Sequence, residues 1–118
     1  MQLYFHKVLN ENGRINDYRN VEIHFNDSNQ LIVKCCDINN TADSMFGDSG
    51  VDFYLNIDEI NVIKLKTIIE SNKKDNLSLN SKNILDFFYS KYANQENCFE
   101  NIMDFLKENN IDYDYNRW

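Results

Sequence analysis

The stretch VDFYLNIDEINVIKLKTIIES, Val51 to Ser71, changes its hydrophobic period midway, and that change decides the fold. In the first half Val51, Phe53, Leu55 and Ile57 alternate with Asp52, Tyr54 and Asn56, the period of a strand with one solvated face. From Ile60 onward the apolar residues recur at helical spacing: Ile60, Ile63 or Val62, Leu65, Ile68 and Ile69. Asp58 stands at the junction. Its carboxylate suits a helix N-cap, and Glu59 adds negative charge where the helix dipole favours it.

Upstream of this junction the period is two. In LYFHKVL, Leu3 and Phe5 share one face while Tyr4, His6 and Val8 share the other. ENGR supplies a hairpin turn through Asn12 and Gly13. VEIHF then sets Val21, Ile23 and Phe25 opposite Glu22 and His24; NDSNQ is turn chemistry, and LIVKCC is a third strand. These segments predict an antiparallel meander, followed by a long loop over Asp37 to Gly50.

Downstream the period is 3.6. KKDNLSLN breaks the first helix, and Ser81 can cap a second that carries Ile84, Leu85, Phe88, Tyr89 and Tyr92. After ANQEN a third helix presents Phe99, Ile102, Met103, Phe105 and Leu106 until ENN ends it, and IDYDY reads as a last strand. Strands mostly before residue 58 and helices mostly after it predict an α+β fold. It has a mainly antiparallel sheet, an N-terminal meander plus a C-terminal strand, with three helices packed on one face. At 118 residues, with 42% hydrophobic content, the whole chain is expected to form a single domain with a real core.

Composition narrows the function classes. The net charge of −7 lacks the basic stripe that phosphate binding needs, which disfavours direct nucleic-acid binding. No apolar run approaches the roughly 18 residues of a membrane span, and the N-terminus reads as a first strand instead of a signal peptide. An odd count of three cysteines, with Cys35 and Cys36 adjacent and therefore on opposite strand faces, predicts free thiols. Free thiols fit a reducing, cytoplasmic setting. About one residue in six is asparagine and proline is absent, a bias we attribute to an AT-rich genome.

Catalytic and metal motifs do not emerge. Cys98 opens a predicted helix without a histidine near it in sequence; His6 and His24 could be neighbours across the meander, but two histidines without further ligands make a weak metal site. Three glycines leave little for a phosphate-cradling loop, and no nucleotide-binding or hydrolase signature is present. The expectation is a monomeric binding protein, not an enzyme, without metal or cofactor.

Acids and aromatics mark the candidate surface. Between Asp37 and Glu59 lie Asp37, Asp43, Asp48, Asp52, Asp58 and Glu59, with no lysine or arginine. Their spacing does not follow a calcium loop. One reading is a solvated loop plus cap acids. The other is a docking surface for a basic partner, with Asp43, Asp48, Asp52 and Asp58 steering and Tyr54 as the aromatic anchor, helped by Met45 and Phe46. Asp52 and Tyr54, two apart on a strand, share a face, expected to be the one away from the helices. IDYDYNRW poses the same choice. Ile111, Tyr113 and Tyr115 pack inward in the structural reading, and Trp118 either closes the core edge or enters a partner.

VDFYLNIDEINVIKLKTII, a strand leading into a capped helix, and CFENIMDFLKENNIDYDYNRW, a helix ending in ENNI before a short strand closed by Trp, together cover about a third of the chain. In this arrangement the chain resembles the small immunity proteins that bacteria pair with polymorphic or contact-dependent toxins. The resemblance implies a cytosolic inhibitor that binds one toxin tightly, often a nuclease with a basic cleft. A phage-encoded anti-defence protein, an anti-CRISPR-like inhibitor or DNA mimic, is the alternative with nearly the same chemistry.

Overall fold

The computed structural model describes residues 1–9, 11–13, 15–39, 51–71 and 81–117. Asn10, Arg14, Asn40, the segments 41–50 and 72–80, and Trp118 lie outside them, and with them Asp43, Met45, Phe46 and Asp48. The meander forms as its turns dictate. Strand β1 (Gln2–Leu9) reverses through Gly13, whose φ of +77° is the left-handed conformation that glycine adopts without steric cost, into β2 (Ile15–Phe25). A second turn leads to β3 (Leu31–Asn39): Asn26 Oδ1 accepts the backbone N–H groups of Ser28 and Gln30 at 3.0 and 2.9 Å, and Asn29 takes φ +59°. Strand β4 (Val51–Ile57) follows, then helices α1 (Glu59–Ser71), α2 (Ser81–Tyr92) and α3 (Cys98–Glu108), and finally β5 (Asp114–Arg117). The five strands lie in sequence order, every neighbouring pair antiparallel. This is the expected α+β arrangement.

One face of the sheet carries the core. Val21, Ile23, Leu31, Val33, Leu55 and Ile57 are fully buried there, against Val62, Leu65 and Ile69 of α1, Ile84 and Phe88 of α2, and Ile102 and Leu106 of α3. Burying each such side chain is worth roughly 1.5–3 kcal/mol, which makes this shared layer the main source of stability. An aromatic cluster of Phe87, Phe88, Tyr92 and Phe105 joins α2 to α3, and Lys91 lies 4.4 Å from the Phe105 ring centre. On the opposite face Glu22, Ile32, Lys34, Cys36, Tyr54 and Asn56 are half-buried and His24 is exposed.

Three expectations require correction. A bulge at Leu3 shifts the β1–β2 register, from Gln2 opposite Glu22 to Tyr4 opposite Val21. Leu3 and Tyr4 therefore both turn toward the core, and Phe5 is left 52% exposed on the open face. The Leu3 carbonyl accepts the N–H of Asn94, just past α2, at 2.8 Å, so the bulge docks a helix end onto the sheet. In α1 the core face is Val62, Leu65 and Ile69; Ile60 and Ile63 are exposed, as is Tyr89 in α2. Finally, β5 begins at Asp114, later than IDYDY suggested, because Ile111 belongs to the end of α3. Asn110 at φ +58° lets the Ile111 N–H reach the Leu106 carbonyl at 2.9 Å and the Asn110 N–H reach Lys107 at 3.2 Å, a Schellman closure with Ile111 buried beneath it.

Candidate functional site

Strand β5 brings two distant acidic stretches together. Its register places Asn116 opposite Tyr54 and Asp114 opposite Asn56. Opposed residues share a face, so Asp52, Tyr54, Asn56, Asp114 and Asn116 all project from the sheet face opposite Leu55 and Ile57 in the core. Neither 51–58 nor 111–116 contains a lysine or arginine. Asn56, Asp58, Asn61, Asp112, Tyr113 and Asp114 line a shallow depression of about 80 Å³ at the end of this strip.

The individual acids differ in what they do. Asp52 is half-buried beside Cys36 and Lys34 of the neighbouring strand. Burial, and then the hydrogen bond that the Cys36 thiol makes with Asp52, push that thiol up to about 11. Lys34 holds its ammonium 5.7 Å from the Tyr54 ring centre. Burial works against the Lys34 charge, but Tyr54 and Asp52 outweigh it and raise the lysine pKa. Asp58 sits apart as the cap of α1. Its Oδ1 accepts the Asn61 backbone N–H at 2.8 Å and the Asn61 side-chain amide at 2.9 Å, bonds that hold its pKa below the ordinary carboxylate value. Asn61, only 7% exposed, turns its Oδ1 to the N–H of Asp112 at 3.1 Å. One buried amide thus ties the start of α1 to the entry of β5.

A second polar cluster, not anticipated as a site from the sequence, lies on the helix-bearing face. Arg19 on β2 stands opposite Asp37 on β3, Nε to Oδ1 3.6 Å, and its Nη2 donates to Glu100 of α3 at 2.6 Å. The Arg19 Nε is buried and makes no hydrogen bond. Burial opposes the Arg19 charge, but the bond to Glu100 and the adjacent carboxylates raise its pKa. Asp37 is also raised, first by burial and further by Glu100, with Arg19 acting the other way. The meander turns contain part of this signal: pairing Phe25 with Leu31 forces Arg19 opposite Asp37. Glu100, 81 residues from Arg19, carries no such hint.

The histidines do not meet. His6 is on the helix-bearing face, 3.3 Å from Asp17, whereas His24 projects from the opposite face beside Ile32. Cys35, Cys36 and Cys98 are free thiols. Among the described residues no helix is long and apolar enough to cross a membrane. No protein-family model, curated protein or solved structure matches this chain.

Proposed function

We propose that this chain is a small acidic binding protein that neutralises a basic partner, a toxin of the nuclease class, by covering its active or substrate-binding cleft. The observation that carries the reading is the β4–β5 pairing, which sets Asp114 and Asn116 beside Asn56 and Tyr54, with Asp112 at the end of the strip, as one acidic sheet edge away from the core. Carboxylates on such an edge can stand where phosphates would sit in a nuclease cleft, and the long-range field of a −7 protein accelerates encounter. Asp52, Asp112 and Asp114 supply the charge, Tyr54 the ring; Asp58 serves the fold. In this reading the chain performs no chemistry and needs no cofactor.

The test is co-expression with a basic nuclease toxin encoded beside this chain's gene, where such a gene is found. The native chain is expected to protect growth, and the variant Asp52→Lys with Tyr54→Ala and Asp114→Lys to lose protection while keeping its circular dichroism and melting temperature. With purified proteins, association should slow on the order of tenfold and become less sensitive to salt. Undiminished protection by the folded variant would remove this edge as the interface.

A further inference from the structure

On the other side of the same edge, five elements converge on a cavity of about 180 Å³ lined by Arg19, Asp37, Phe53, Phe99, Glu100, Met103 and Tyr115. Its floor is aromatic. The Phe53 and Tyr115 rings stack with centres 6.1 Å apart and planes 25° apart, and Phe99 lies 6.3 Å from Phe53 at 43°. Tyr115 is 47% exposed, and the side chains of Glu100 and Asp37 are 52% and 35% exposed, so the cavity opens to solvent at its rim. Among the described residues that line the cavity, two carboxylates share the Arg19 guanidinium beside the exposed Tyr115 ring. Arg19 engages Glu100 through one oxygen, Oε1, and reaches Asp37 only at ion-pair distance.

We propose that this cavity receives the side chain of an arginine from the basic partner. A guanidinium is planar and weakly hydrated: it stacks on aromatic faces and offers paired N–H donors to a carboxylate. Tyr115 and Phe53 supply the stacking surface. Glu100 and Asp37 accept the N–H groups, and the added cation relieves the repulsion between them. An ammonium matches the charge but not the stacking, and an apolar side chain matches the rings while leaving the acids without a partner. The identity of the donor, a protein with arginine on its surface, rests on the basic-partner reading above. The recognition chemistry itself does not.

The experiment separates the two. The native ¹⁵N-labelled chain is titrated with Nα-acetyl-arginine N-methylamide, and in parallel with its citrulline and norleucine counterparts. Saturable one-site shifts in the amides of Phe99, Glu100 and Tyr115 are expected with the arginine derivative alone. Tyr115→Ala should bind it about two- to fivefold more weakly, the loss of one exposed cation–π contact, and Tyr115→Phe should bind it like the native chain. Tyr115 lies outside the buried core, so both variants keep the fold. Equal shifts with citrulline, or no saturation at these amides, would overturn the pocket. Binding of the arginine derivative by a chain that fails to protect against the toxin would uphold the pocket and defeat the proposed function instead. Full protection by Tyr115→Ala, with weakened arginine binding, would show that the toxin does not use the pocket and overturn its assignment to the partner.

Discussion

At the scale of single residues, Asn61 shows how one polar side chain can be both buried and required. It donates to Asp58 and accepts from Asp112, so its backbone and side chain together close the cap of α1 and fix the segment that becomes β5. Asn61→Ala leaves the Asp112 N–H without its acceptor and loosens the cap. A cost of about 1–3 kcal/mol in urea unfolding is expected, with the native baseline unchanged. A change below a few tenths would mean that water replaces the amide fully. Asp58 illustrates how the sequence can offer one residue for two purposes: an acid before an apolar helical run fits a docking surface as well as a cap, and only the Asn61 geometry separates them.

At the scale of elements, the β1 bulge is the informative feature. Strict alternation would put Leu3 and Phe5 on one face and make both costly to remove. The shifted register buries Leu3 at 2% exposure and leaves Phe5 with an edge-to-face contact to Tyr18, ring centres 5.6 Å apart. Leu3→Ala should therefore destabilise by about 2–5 kcal/mol and Phe5→Ser by about 1 kcal/mol or less. Equal losses would contradict the bulge. The helices teach a similar lesson. Apolar spacing alone admits more than one stripe on α1; which of Ile60, Val62 and Ile63 enters the core depends on where the sheet lies beneath the helix. The end of α3 was legible in part: ENN marked the stop, but Ile111, read as the start of a strand, instead closes the Schellman motif with Asn110.

At the scale of the whole molecule, the titration of buried groups sets an alkaline limit. Burial is the first cause at each of four groups: it pushes Cys35 and Tyr92 up to about 12 and Cys36 and Cys98 up to about 11, from 9.0 for cysteine and 10.0 for tyrosine. The unfolded chain releases these protons first as pH rises. Their contribution to stability is thus complete below pH 9 and is lost between about 9 and 12. Lys34, also raised, acts in the same direction. The urea midpoint should fall steadily across this window, and Cys35→Ala should flatten the early part of the decline. A midpoint constant to pH 11 would show that these groups ionise in the folded chain as they do in the open one.

The sequence by itself determined the class and order of the elements, because a period of two or 3.6 and the chemistry of caps and turns act over a few residues. Asp58, Gly13, Asn26 and Asn110 mark boundaries that local hydrogen bonding enforces wherever the chain goes. It also determined that Asp52 and Tyr54 share a face, since that follows from strand geometry alone. Only the tertiary structure decided that this face adjoins Asp114 and Asn116, that Arg19 meets Glu100, and that Phe53, Phe99 and Tyr115 enclose a cavity. Those contacts join residues tens of positions apart. They arise from how a sheet and three helices bury one apolar layer together, a global packing solution that local spacing does not encode.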